Sequence, residues 1–169
     1  MILAVRRKAD GTFGVLLDEE TGDVLRELPQ RLRSVLERPD VAEKVAARLF
    51  PKAYSDPKEE AEYRRLLGKD LLRKKLESVK VFERTLKRWE PVKLDKRKAV
   101  EVTVRPEELE LWLGFVNDMR LVLGTELDIQ DESWGQHFDP DHPQAQDMAL
   151  LHYLSWLEEE LLAAYPGEA

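Results

Sequence analysis

Residues 112 to 125 read Trp112-Leu113-Gly114-Phe115-Val116-Asn117-Asp118-Met119-Arg120-Leu121-Val122-Leu123-Gly124-Thr125. Apolar side chains fill most of this stretch, and Asn117, Asp118 and Arg120 are the polar residues that interrupt it. A helix that is apolar on nearly all sides is buried among other elements. The stretch therefore predicts the central helix of a fold, and it contains no catalytic motif.

The flanking residues predict where this helix begins and ends. Pro106-Glu107-Glu108 places proline and acidic residues where a helix N-terminus favours them. Gly124 is expected to end the helix in the left-handed conformation. Apolar spacing predicts further helices over about 19–37, 40–49, 57–67, 71–89 and 143–164. A break at Gly68 separates the third of these from the fourth. Asp40, Asp70 and Asp141 are the expected N-caps of the second, fourth and fifth.

Three short strands complete the predicted fold. Asp10-Gly11 separates two β-prone runs, 3–8 and 12–17, and such a pair is typical of a hairpin. Val100-Glu101-Val102-Thr103-Val104 alternates apolar and polar residues, which predicts a third strand. The predicted fold class is mainly α (α+β): one helical domain over 1–169 with a small antiparallel sheet, formed by an N-terminal hairpin and one central strand.

Composition excludes several classes of site. The 169 residues include no Cys, so disulfides, thiolate nucleophiles and Cys-ligated zinc are excluded. Hydrophobic residues make up 43% and charged residues 36%, as in globular chains. No apolar run approaches the length of a membrane span, and the N-terminus does not resemble a secretory signal, so we predict a cytoplasmic protein with no membrane association.

No catalytic residues, metal site or cofactor are predicted. The eight glycines are scattered singly, so no phosphate-binding loop is present, and no nucleophile motif occurs. Two histidines and two aspartates between Gln136 and His142 could hold a divalent ion, but they lack the helical His pair of zinc hydrolases, and Asp141 is better explained as a helix cap. An enzyme is therefore not expected.

Charge is strongly segregated along the chain. Residues 64–98 carry 14 Lys and Arg against 5 Asp and Glu, a net of +9, whereas the chain as a whole has a net charge of −7. Arg120 is the only Lys or Arg after Pro106. Such segregation arises either from complementary packed elements or from an anion-binding surface.

The basic segment has a helical pattern. Tyr63, Leu66 and Leu67 are expected to face inward on a first helix, followed after Gly68 by an apolar stripe at Leu72, Leu76, Val79, Phe82, Leu86 and Trp89. Opposite that stripe lie Arg73, Lys80, Arg84 and Lys87, with Arg88 at its edge, and these are the candidate DNA-binding or anion-binding residues. Two helices joined by a short turn resemble the outline of a DNA-binding helix pair. Glu77 interrupts the basic face and is expected to pair with Arg73 and Lys80.

The polar residues of the central helix have two interpretations. Arg120, if buried, needs a carboxylate partner, either Asp118 or one from another helix. Asn117, Asp118 and Arg120 could form an anion-binding or catalytic site, or a structural polar network. We favour the structural network.

Several local patterns together resemble a known family. They are Leu49-Phe50-Pro51-Lys52-Ala53-Tyr54, Glu62-Tyr63-Arg64-Arg65-Leu66, the block from Trp112 to Leu127, and Tyr153-Leu154-Ser155-Trp156-Leu157. The resemblance is to the actinobacterial family known as domain of unknown function 2017 and named after the oxidative stress regulator AosR.

The resemblance implies a cytoplasmic transcription regulator that acts on DNA or on transcription machinery, including a sigma factor. It implies no catalytic residues. The family's regulator senses oxidants through cysteines, which this chain lacks, so regulation by thiol oxidation is not available here. The alternative is an acidic helical adaptor that binds protein and no DNA. The sequence leaves open a homodimer.

Overall fold

Five helices and a four-stranded antiparallel sheet make up the fold in the computed structural model, which describes residues 2–130 and 139–165. Their order along the chain is β1 (Leu3–Arg7), β2 (Phe13–Leu17), α1 (Glu19–Glu37), α2 (Glu43–Leu49), α3 (Pro57–Leu86), β3 (Trp89–Leu94), β4 (Arg97–Val104), α4 (Pro106–Glu126) and α5 (Ala145–Ala164). The predicted α+β class with mainly helices is confirmed.

The N-terminal hairpin forms where Asp10-Gly11 predicts it. Leu3 pairs with Leu17 and Arg7 with Phe13, while Gly11 has a φ of 86°. The Asp10 carboxylate accepts the Thr12 backbone N–H at 2.9 Å and so fixes the turn. β4, which contains the predicted third strand, pairs with β2.

A fourth strand, β3, was not predicted. The residues from Trp89 to Leu94 pair with β4 at the edge of the sheet, in the order β1-β2-β4-β3. Pro91 lies within this strand, and an edge strand tolerates a residue that has no N–H to donate. The predicted helix 71–89 therefore ends earlier, at Leu86.

The long helix α3 replaces the two helices predicted on either side of Gly68. It runs unbroken through Gly68 to Leu86, and Asp70 lies inside it rather than capping a new helix. Asp56 caps its N-terminus by accepting the Lys58 backbone N–H at 3.0 Å. A single glycine in a helix interior costs about 1 kcal/mol relative to alanine, which a helix of 30 residues tolerates. The helix-turn-helix outline is therefore wrong.

Helix α4 is the centre of the core, as its sequence predicts. It packs against α1, α2, α3 and α5, and Trp112, Phe115 and Met119 are fully buried. The Phe82 ring of α3 stacks on the Phe115 ring, with centroids 4.0 Å apart. The Trp112 Nε1–H donates to the Thr85 hydroxyl at 2.7 Å, so the one polar atom of this buried indole is satisfied.

Three predicted helix ends differ in the structure. Gly124 lies within α4, which closes instead at Asp128 with a φ of 54°. There the Ile129 N–H bonds to the Gly124 carbonyl at 2.9 Å, and the Asp128 N–H bonds to the Thr125 carbonyl at 3.1 Å.

The other two differences concern aspartate caps. Asp40 pairs with Arg38 and does not cap α2, whose N-cap is Ala42. The N-cap of α5 is Gln144 rather than Asp141, whose backbone N–H bonds to the Asp139 carboxylate.

Nothing in the described ranges suits a membrane span: each helix there is too short or too polar to cross a bilayer. Residues 139–142 of the loop considered for a metal are described, whereas Gln136, His137 and Phe138 lie outside the described residues. Within residues 2–130 and 139–165, no cluster of three metal-ligating side chains occurs.

Candidate nucleic-acid interface

The exposed side of α3 carries a row of basic side chains. Arg73, Lys80, Arg84 and Lys87 are all exposed, and we call these four residues the basic stripe. Their spacing of seven, four and three residues keeps them on one helical face over roughly 20 Å. The structure therefore places four of the five predicted binding residues on one surface.

Lys69 extends the basic stripe by one helical turn toward the N-terminus of α3. Sequence reasoning missed it because the expected break at Gly68 placed Lys69 in a turn. The four-residue spacing from Lys69 to Arg73 would have revealed it if α3 had been treated as one helix.

The apolar stripe opposite these residues holds α3 in place. Val79, Phe82 and Leu86 are buried, and Leu72 and Leu76 are partly buried against the same core. Because this side faces the core, the basic side chains on the other side face solvent.

Two members of the basic stripe have weak partners. Arg73 pairs with Asp70 at 3.3 Å, not with Glu77 as predicted, and both side chains are largely exposed. Arg84 is 3.4 Å from Glu108 and its side chain is 61% exposed. The pair of Arg73 with Asp70 is exposed, and such pairs contribute about 0–1 kcal/mol. Glu108 is buried but keeps two shorter bonds from Arg88 if Arg84 turns to another anion.

Lys80 and Lys87 have no carboxylate within ion-pairing distance in the part of the chain that the structure describes. An exposed ammonium group without a fixed partner keeps its full charge available to an anion. These two lysines are therefore the members of the stripe best suited to contact phosphate.

Arg88, the fifth predicted binding residue, serves a structural contact. Its guanidinium donates to both oxygens of the buried Glu108 carboxylate, at 2.7 and 2.8 Å. Glu108 also accepts the Arg105 backbone N–H at 3.0 Å, which caps α4. Burial raises the pKa of Glu108, but the bonds from Arg88 and Arg105 outweigh it, and the net shift is downward. Arg88 thus joins the end of α3 to the start of α4.

Some basic side chains of residues 64–98 are neutralised by carboxylates inside the fold. Lys75 of α3 donates to the Asp118 carboxylate of α4 at 2.8 Å, and both side chains are largely buried. With the pair of Arg88 and Glu108, this is the internal complementarity that was one interpretation of the charge pattern. The basic stripe belongs to the portion of the basic segment that remains exposed, which also includes Lys69, Lys74 and Lys93.

The three polar residues of α4 face three different surroundings rather than forming one network. Asn117 is exposed, Asp118 binds Lys75, and Arg120 pairs with Glu158 of α5. Asp118 and Arg120 lie about 200° apart on the helix, which is why Asp118 cannot be the partner of Arg120. Burial raises the pKa of Asp118, and the Lys75 ammonium opposes that shift.

The first half of α3 bears an exposed apolar surface. Leu66 is 59% exposed and Leu67 49%, so the prediction that they face inward is wrong. The Tyr54 ring meets the Tyr63 ring edge to face beside them, with centroids 5.8 Å apart. We call Tyr54, Tyr63, Leu66 and Leu67 the apolar patch. It arises because α3 continues N-terminally past the part of the helix that packs on α4.

The sequence matches the family described as Domain of unknown function (DUF2017) over residues 2–165. The chain belongs to this family. Comparisons with curated proteins and with solved structures gave no match. Family membership confirms the resemblance to domain of unknown function 2017. The family description states no function, so function rests on the surfaces described above.

Proposed function

We propose that this DUF2017 protein is a non-enzymatic cytoplasmic regulator that binds duplex DNA through the basic stripe of α3. The observation that carries the proposal is the alignment of Arg73, Lys80, Arg84 and Lys87 on one exposed helical face of an otherwise acidic protein. The resemblance to the oxidative stress regulator AosR supports a role in transcription. Without cysteines, the proposed regulation does not use thiol oxidation.

Charge distribution would orient the molecule on DNA. Phosphate groups attract the basic stripe and repel the acidic remainder, since residues outside 64–98 carry 13 basic against 29 acidic side chains. Contacts of this kind fix position on the duplex without reading its sequence. The proposed interaction is therefore electrostatic and sequence-independent in its main part.

A titration of labelled duplex DNA, followed by fluorescence anisotropy at several salt concentrations, tests the proposal. Each phosphate contact should add about −0.9 to the slope of log K against log salt, because binding releases condensed counterions. Binding that weakens steeply with salt is expected. Absence of binding at the lowest salt concentration would refute the proposal.

The apolar patch favours a second candidate function, a protein-binding adaptor of the transcription machinery. Exposed leucines beside paired tyrosines are typical of protein contacts, and α3 lacks the turn of a DNA-binding helix pair. Calorimetric titration against purified sigma factor tests this candidate. It predicts binding that Leu66→Glu abolishes and that salt hardly changes, and no binding to DNA.

A further inference from the structure

The segment of α3 from Pro57 to Glu77 presents a continuous face that other parts of the described chain leave exposed. Along that face lie Glu59, Tyr63, Leu66, Leu67, Asp70 and Lys74, spaced three or four residues apart. All are exposed except the half-buried Tyr63. The face has leucines at its centre, Glu59 near one end and Lys74 near the other, with Asp70 between the leucines and Lys74.

We propose that this face pairs with the same face of a second copy of the chain, with the two α3 helices antiparallel about a two-fold axis between Leu66 and Leu67. A two-fold interface requires a surface that is complementary to itself. An apolar centre between an acidic end and a basic end meets this requirement, because each end then meets its opposite on the other copy.

The register follows from the sequence of the face. With the axis between Leu66 and Leu67, Leu66 lies opposite Leu67 of the second copy, Tyr63 opposite Asp70, and Glu59 opposite Lys74. Each pairing occurs twice by symmetry. The Tyr63 hydroxyl can donate to the Asp70 carboxylate, and Glu59 and Lys74 form opposite-charge pairs at both rims of the leucine contact.

A parallel arrangement has no such complementarity. It would set Glu59 against Glu59 and Lys74 against Lys74, and like charges at close range repel. The antiparallel arrangement also leaves Lys80, Arg84 and Lys87 exposed, because they lie beyond the paired segment, which ends at Glu77, while Arg73 lies at its border. The dimer therefore does not depend on the proposed DNA binding and does not obstruct it.

The mass of the protein in solution tests the pairing. Light scattering after size exclusion, at micromolar concentration, should give twice the monomer mass of 19.7 kDa. Leu66→Glu should reduce it to the monomer mass. The matched control is Leu162→Glu on α5, because Leu162 is 58% exposed and lies outside the pairing face. This variant should remain a dimer.

A wild-type chain that is monomeric throughout would overturn the proposal and leave the apolar patch to another protein. A dimer that persists in Leu66→Glu would equally overturn it, provided that circular dichroism shows both variants to be folded. Leu66 is exposed, so the substitution removes no core contact.

Cross-linking tests the register separately. The chain has no cysteine, so Glu59→Cys and Lys74→Cys each introduce a single thiol. An oxidised mixture of the two variants should give a disulfide-linked dimer. Either variant alone should stay uncross-linked, because like positions lie about 22 Å apart along antiparallel helices. A cross-link in Glu59→Cys alone would show parallel helices and overturn the proposed register.

Discussion

Asp118 illustrates how one residue links the charge pattern to stability. Burial raises its folded-state pKa above the ordinary value of 3.8, and the Lys75 ammonium limits that rise. The folded protein therefore favours the protonated form of Asp118. The stability that this form contributes is fully present below pH 3.8 and is lost as the pH rises through the folded-state pKa. Removing Lys75 should raise this pKa further and increase the penalty at neutral pH.

Lys75→Met should lower the free energy of unfolding by about 3 kcal/mol at neutral pH, because it leaves a buried carboxylate without a partner. The loss should shrink at acidic pH, because the raised pKa of Asp118 favours its protonation there. Urea unfolding at the two pH values measures both effects. Lys80→Met, at an exposed position of the same helix, is the control and should change stability little. An equal loss of unfolding free energy at neutral and acidic pH would contradict the ion pair of Lys75 with Asp118.

Gly22 is the residue at which α1 meets the edge of the sheet. A Cβ atom there would clash with the Trp89 ring, which also stacks against the Arg26 guanidinium at 3.8 Å. Gly22→Ala should therefore displace the indole and cost about 1–3 kcal/mol, as overpacking does. Thermal unfolding and Trp fluorescence should change together. Unchanged fluorescence with unchanged stability would contradict the close contact.

At the scale of elements, Gly68 decides whether α3 is one helix or two. It lies mid-helix, and a Cβ added there would meet no atom within 4 Å. Gly68→Ala should therefore stabilise the protein by about 0.5–1 kcal/mol, because alanine is the better helix former. Gly11→Ala provides the contrast: with a φ of 86° it should destabilise. A loss of stability in Gly68→Ala would indicate a turn at that position.

The same elements show what the sequence can predict. The central helix and the hairpin were predicted because their patterns are local: an apolar run after a proline and two acids, and Asp10-Gly11 between β-prone runs. The pairing of β3 depends on its neighbour β4, and the residues from Trp89 to Leu94 contain no local pattern that predicts it. The break expected at Gly68 is wrong because the cost of about 1 kcal/mol for one glycine does not end a helix of 30 residues.

Only part of the candidate site could be predicted from the sequence. Helical spacing alone placed Arg73, Lys80, Arg84 and Lys87 on one exposed face. It could not show that Arg88 turns toward Glu108, since that contact joins residues 20 positions apart. Nor could it show that Leu66 and Leu67 are exposed, because their exposure depends on how far α4 extends beside α3.

At the scale of the whole molecule, two surfaces of α3 have separate roles in this account: the apolar patch for a second copy and the basic stripe for DNA. Internal pairs such as that of Arg88 with Glu108 neutralise part of the basic segment. The charge that remains exposed should govern binding to anionic partners, whereas the net charge of −7 should limit binding elsewhere on the surface.

The most direct measurement compares the DNA affinity of two fourfold variants across salt concentrations. One replaces the basic stripe, with Arg73, Lys80, Arg84 and Lys87 each changed to Gln. The control changes four other exposed basic residues to Gln: Lys44, Arg48, Lys52 and Lys58. Both variants lose the same charge. We predict that the stripe variant loses affinity and that its salt slope falls by up to about 3.6, while the control keeps the wild-type slope. Equal losses in both variants, or wild-type binding by the stripe variant, would contradict the account.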